Sequence, residues 1–431
     1  MSNAVSLLAT LLTAAPQRSV VLVLLLGLFP FSALAEGARW NLQTSAGFDA
    51  YLNKYHLAVD DTTEALSEFN IAATIDGRSA RRTNHQWHFR TEISGGSELF
   101  RELLDTSYRW RPDAGDPRLR LDLVGLGRQF QSGTSYTLSS DNVEGRADLR
   151  AYPWYGKHAL LDLRLAARIL DYETPSTLEQ DYNQSKVGGF IRGRDTFERS
   201  WRLGAFVGQR TYPDSSAIDR EFLILEGDYD QATEAADIRF YQRSERRLIE
   251  DETTRPSAWS HWTELELALA SGPGKVVLQG YSEIWNYDEE YGAYFDSWRL
   301  EGEFGYRWGT LMDSTWQLLM ALENLSAGDS PEAYSQASIR GSFESYAYPF
   351  TGVIALGYGQ RWYSDQGTID ETDVSLDYSD FSFFEIWAMA SWAINDHLSF
   401  DLIANYQPET HTEQTDDMAL GFGSLRLVWR P

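Results

Sequence analysis

Hydrophobic and polar residues alternate along most of this chain with a period of two. Trp298, Leu300, Gly302, Phe304, Tyr306 and Trp308 fall on one face of an extended strand, and Arg299, Glu301, Glu303, Gly305 and Arg307 fall on the other. The same reading sets Trp87, Phe89 and Ile93 against His88, Arg90 and Glu92. It sets Leu119, Leu121 and Leu123 against Arg118, Arg120 and Asp122, and Leu161, Leu163, Leu165 and Ala167 against Asp162, Arg164 and Arg168. Trp201, Leu203, Ala205 and Val207 oppose Arg202 and Arg210; Thr263, Leu265, Leu267 and Leu269 oppose Glu264 and Glu266; Leu398, Phe400, Leu402, Ala404 and Tyr406 oppose Asp401 and Asn405. Turn-like pieces separate these runs at 112–117, 213–216 and 272–274, and longer acidic ones at 250–256, 327–332, 365–378 and 409–417. The pattern predicts about 18 strands, within a range of 16 to 20. At roughly 10 residues each plus connections, these use all of 36–431 without a second domain.

Residues 1–35 stand apart. Arg18 is their only charge, an apolar run covers 20–31, and Ala33-Leu34-Ala35 supplies a small-x-small cleavage pattern. This predicts a secretory signal peptide cut before Glu36. The apolar run is shorter than the ~20 residues a membrane-spanning helix needs.

Composition narrows the field. The 431 residues carry a formal charge of −26, so nucleic-acid binding is disfavoured by phosphate repulsion. There is no cysteine, which excludes disulfide frameworks, thiolate metal sites and cysteine nucleophiles. Phe, Trp and Tyr make up 14% of the chain, far too many for a disordered acidic segment. Many alternating strands fit either a soluble sandwich or propeller, or a membrane barrel whose apolar face meets lipid and whose charged face lines a lumen. Export without cysteine, several charges on one face of single strands, and aromatics at strand ends favour the barrel. Trp298 with Trp308, and Trp285 with Tyr287, are expected in its interfacial girdles.

On these patterns the mature chain resembles, over essentially its whole length, the outer-membrane β-barrels of Gram-negative bacteria, of the porin-like or polysaccharide-export-like kind. The last run, Gly421, Gly423, Leu425, Leu427 and Trp429, resembles the terminal strand that the barrel-assembly machinery reads, with Arg430 and Pro431 as two additional residues. The resemblance implies an all-β, single up-and-down antiparallel barrel over 36–431. It also implies outer-membrane location and contact with lipid and lipopolysaccharide.

If alternate residues face inward, charge is unevenly spread. Residues 36–255 hold 29 basic and 36 acidic residues, a net of −7, and 256–431 hold 7 basic and 27 acidic, a net of −20. One wall is therefore expected to be rich in arginine. The candidates are Arg90, Arg109, Arg118, Arg120, Arg146, Arg150, Arg164, Arg168, Arg192, Arg194, Arg202 and Arg239. Arginine's planar fork suits carboxylates and phosphates, and rows of charge set selectivity in pores. The structural alternative is that they pair across strands with Asp105, Asp122, Glu144, Asp148, Asp162 and Asp237. Candidate acidic lining residues are Glu264, Glu266, Glu301, Glu303, Glu344 and Asp401, although much of the −20 belongs to loops such as 288–290, 370–373 and 409–417. Passage of hydrophilic, anionic solutes is the function expected. Export of acidic polysaccharide with a separate periplasmic partner, or a lumen plugged by its own ion pairs, is the alternative.

Enzyme chemistry is poorly supported. The seven histidines show no metal-binding spacing, and no G-x-S-x-G elbow occurs. His158 near Asp162 and His261 near Glu264 are the only pairings to consider. No catalytic residue, metal or cofactor is expected. Strand patterning already begins near Trp40, which leaves no room for an N-terminal plug, so passive conduction is expected rather than energy-coupled uptake.

Overall fold

The computed structural model describes residues 39–430 apart from 57–60, 80–83, 97–98, 113–117, 131–140, 157, 175–179, 197, 252–254, 290–293, 311–313, 328–332, 365–378 and 413–416. The signal-peptide expectation therefore lies outside the described residues. Those described form twenty strands. They are β1 (Arg39–His56), β2 (Asp61–Arg78), β3 (His85–Gly96), β4 (Leu99–Trp110), β5 (Leu119–Phe130), β6 (Asn142–Tyr155), β7 (Ala159–Tyr172), β8 (Tyr182–Thr196), β9 (Arg199–Thr211) and β10 (Arg220–Ala232). The second half comprises β11 (Ala236–Ile249), β12 (Ala258–Ser271), β13 (Gly274–Tyr287), β14 (Ser297–Thr310), β15 (Ser314–Ser326), β16 (Tyr334–Ser345), β17 (Phe350–Tyr363), β18 (Phe381–Ala393), β19 (Leu398–His411) and β20 (Met418–Trp429). Twenty is the upper end of the expected range.

Each strand pairs antiparallel with its chain neighbours, and β1 pairs with β20 from Thr44↔Trp429 to Tyr55↔Met418, which closes the ring. Followed from strand to strand at right angles to the chain, the register returns to β1 about 24 residues from its start. With ordinary strand spacing and rise, that stagger tilts the strands by about 40° and gives a backbone radius of about 20 Å.

The apolar face of the alternation looks outward. Phe69, Leu203, Phe304, Met320 and Leu322 are each more than half exposed, as lipid-facing residues must be when no lipid is present. Trp40, Trp110, Trp308, Trp316, Trp392 and Trp429 stand outward near the end that carries both chain termini, and Trp298 and Trp362 near the other. These are the two aromatic belts. Trp285 and Tyr287 correct the expectation: the β13 register puts them on the inward face with Glu283, and Trp285 donates to the Glu283 carboxylate at 2.7 Å. Connections at the termini end are short, such as the two-residue link after β12 with Gly272 at φ 58°, while the other end carries 131–141, 173–181, 288–296 and 364–380. In barrels of this kind the short turns are periplasmic.

On the inner wall Phe190, Phe206, Phe222 and Ile224 form a buried apolar cluster. Each ring lies over a glycine directly across the ladder: Phe190 over Gly204, Phe206 over Gly188 and Phe222 over Gly208. A Cβ at those glycines would meet the rings at 2.3, 2.6 and 2.5 Å. Bare backbone is therefore what lets bulky rings fold against the wall instead of projecting from it.

Candidate functional site: the charged inner wall

Because side chains alternate, register alone fixes which residues share the inner wall. Arg90, Arg109, Arg120, Arg146, Arg150, Arg164, Arg168, Arg192, Arg202 and Arg239 all stand on the inward face, as do Glu264, Glu266, Glu301, Glu303, Glu344 and Asp401. Arg118 does not line a strand. It sits in the turn before β5, donates to the Tyr152 carbonyl at 3.4 Å and lies over the Tyr155 ring at 4.7 Å, which makes it a rim residue. Arg194 lies at the β8–β9 bulge, where side chains fall outside the described residues.

Five of these arginines have a carboxylate partner two residues away along the same strand, and four pair, among the described residues, only across strands. Arg90 pairs with Glu92 at 2.8 Å, Arg120 with Asp122 at 2.7 Å, Arg150 with Asp148 at 2.8 Å and Arg164 with Asp162 at 2.9 Å. Period two makes i and i+2 neighbours on one face, so this geometry was available from the sequence. Some pairing does cross strands. Buried Glu144 holds both Arg146 and Arg168, fully buried Asp162 also takes Arg192 at 2.6 Å, and Arg202 reaches Asp228. Asp237 instead binds Lys275 at 2.6 Å, and Asp105 forms no ion pair among the described residues.

The cations outnumber these partners on one side. Inward on β3–β9 stand thirteen: Arg90, Arg101, Arg109, Arg120, Arg128, Arg146, Arg150, Arg164, Arg168, Lys186, Arg192, Arg202 and Arg210. Against them are six carboxylates, Glu92, Asp105, Asp122, Glu144, Asp148 and Asp162, so the described balance is +7. On β10–β16 eight cations (Arg220, Arg239, Arg243, Arg247, Lys275, Arg299, Arg307, Arg340) face twelve carboxylates (Glu226, Asp228, Asp230, Asp237, Glu245, Glu264, Glu266, Glu283, Glu301, Glu303, Glu323, Glu344), a balance of −4. Arg101, Arg128, Lys186, Arg210 and Arg220 were not among the expected lining residues, although the alternation had already set Arg210 on the charged face of its strand.

Aromatic rings fix the guanidiniums further. Arg164, Arg192 and Arg202 surround the Phe190 ring at 4.6, 5.5 and 4.4 Å, and Lys186 lies 5.1 Å from that of Phe206. On the acidic side Glu266 pairs with Arg307 at 3.0 Å, Glu301 and Glu303 reach Arg299 and Arg340 only at 3.9 and 4.0 Å, and Asp401 accepts from Ser391 at 2.6 Å. Glu344 accepts from Tyr346. A recess of about 520 Å³ opens beside Arg239, Glu264, Glu266, Glu301 and Glu303. His261 faces outward and shares a 2.8 Å hydrogen bond with Ser244, so it and inward Glu264 cannot act together. His158 stands exposed in the turn before β7, while Asp162 is fully buried against arginines.

No protein-family model and no curated protein matches this chain. Solved structures do resemble it. The siderophore receptor PirA from Acinetobacter baumannii superposes with a TM-score of 0.51 at 7% identity, covering 90% of this chain and 80% of that one. OccK2 (OpdF) from Pseudomonas aeruginosa gives 0.47 at 12% identity, covering 92% and 98%, and a BenF-like porin from Pseudomonas fluorescens Pf-5 gives 0.47 at 10%, covering 92% and 100%. At such identity the likeness to PirA speaks for the fold alone, and the two lower scores add no argument. The closed ring, the apolar exterior with its aromatic belts and that fold likeness identify a membrane-spanning β-barrel.

Proposed function

We propose that this barrel is a passive channel for hydrophilic, anionic solutes. The observation that carries the reading is the +7 balance on the inward face of β3–β9, set on a cylinder about 20 Å in radius, whose axis not even arginine side chains reach. Opposed by the −4 wall of β10–β16, it supports a transverse field that draws anions to one side of the lumen. Ion pairing does not disable an arginine. Each guanidinium has five N–H donors, and a carboxylate on the Nε edge leaves the outer edge for a solute.

Single-channel conductance in a planar bilayer, with reversal potentials under a salt gradient, tests this. Stable open steps with anion preference are expected. Replacing Arg120, Arg150, Arg164 and Arg168 together by glutamine should abolish that preference, whereas Arg118→Gln at the rim should leave most of it. Folded, heat-modifiable protein that never conducts would overturn the reading and favour a barrel sealed by its own ion pairs.

A further inference from the structure

Antiparallel register sets residues of distant sequence shoulder to shoulder, and here it lines up arginines. Arg109, Arg120, Arg150 and Arg164 are successive partners across β4, β5, β6 and β7. A second, higher row runs Arg146, Arg168, Gln184, Arg210 and Arg220 across β6, β7, β8, β9 and β10. Like charges directly opposite each other in a ladder are unfavourable, so a run of them is not what fold stability alone would choose. The lower row is largely neutralised by Asp122, Asp148 and Asp162. The upper is not. Glu144 is the one carboxylate paired with Arg146 and Arg168, Arg210 is held by the Gln184 amide oxygen at 2.9 Å and stacks 4.4 Å over Tyr182, and Arg220 has no ion pair among the described residues.

Spacing and slope follow from the sheet. Neighbouring positions in a row are about 4.8 Å apart, and with strands tilted about 40° a row climbs roughly 3 Å per strand. The upper row is thus a ramp about 19 Å long rising to the extracellular rim. We propose that it is a binding track for a linear acidic oligosaccharide, whose carboxylates repeat once per sugar at close to the strand spacing. The amide of Gln184 at the row's middle suits a chain that carries hydroxyls between its charges. This rests on the channel reading and names its substrate class.

The test is block of ion current by galacturonate monomer, dimer and tetramer. Affinity should rise at least about tenfold from dimer to tetramer, because successive contacts become intramolecular. In Arg168→Ala/Ala166→Arg the net charge and the strand are kept but the guanidinium leaves the row, and the gain with length should collapse. Arg210→Gln, near the strand end, gives the same readout if that variant fails to fold. A channel that conducts and prefers anions but binds monomer and tetramer alike overturns the track and leaves the channel reading intact. Equal block by tetraglutamate overturns the assignment to a sugar chain. If no current flows, calorimetric titration of the solubilised protein with the same oligomers decides the track independently, and failure to bind the tetramer refutes it.

Discussion

Alanine at Gly204 probes the inner wall most directly. Its Cβ would lie 2.3 and 2.5 Å from the Phe190 ring and 2.9 Å from the Gly189 carbonyl oxygen. No real contact is that short, so the ring must leave the wall, at the ~1–3 kcal/mol typical of overpacking. Alanine at Gly302 meets nothing within 4 Å, and by restricting the unfolded chain it should be neutral or stabilise by about 0.4–1 kcal/mol. The two variants should therefore differ by at least about 1 kcal/mol, and by up to ~4, in urea unfolding from phosphatidylcholine vesicles followed by tryptophan fluorescence. In a Phe190→Ala background the two closest contacts vanish, and Gly204→Ala should lose most of its cost. Because Arg164, Arg192 and Arg202 stack on that ring, Gly204→Ala should also lower anion preference. Equal unfolding midpoints for Gly204→Ala and Gly302→Ala, or an unchanged cost without Phe190, would refute the claim that ring and glycine interlock.

Further outcomes are expected elsewhere. Asp162→Asn strips half-buried Arg164 and Arg192 of their shared, fully buried carboxylate and should cost about 1–3 kcal/mol in the same assay. Asp288, just beyond β13, accepts from Arg246 at 2.7 Å, and that hydrogen bond holds its carboxyl below the usual carboxylate range. A lowered pKa means stability that is present above the ordinary carboxylate pKa and lost as pH falls through the lowered one. Asp288→Asn should therefore cost up to about 1 kcal/mol at neutral pH and nothing in strong acid, as pH-dependent urea titrations would read. Trp308 and Trp316, kept in turn as single tryptophans, should be quenched most by lipids brominated near the headgroup; strongest quenching by chain-end bromines would contradict the belt assignment.

Alternation carried most of the fold into view, because lipid outside and water inside impose period two on every strand. Trp298 and Trp308 could be placed from that rule alone. Trp285 and Tyr287 could not be told from them, since an aromatic near a strand end looks the same in sequence whether it meets headgroups or a lumen mouth. The inward arginines were legible one by one. Their arrangement was not: that Arg120 stands beside Arg150, or Arg210 beside Arg220, depends on turn lengths and on shifts such as the one between Ala151 and Trp154, which no local pattern records. Arg118 fell short of its strand by a single residue.

Closure of the ring between β1 and β20 constrains how such a chain can be made and can change. Tyr55 meets Met418 across more than 360 intervening residues, and bringing such distant ends together costs roughly 3 kcal/mol more than closing a ten-residue loop. Until that contact forms, the nascent sheet has two unsatisfied margins, each intolerable in hydrocarbon. Deleting one strand would bring the margins together parallel instead of antiparallel; deleting a hairpin would not. Lineages of this barrel that keep every pairing antiparallel therefore gain or lose circumference two strands at a time.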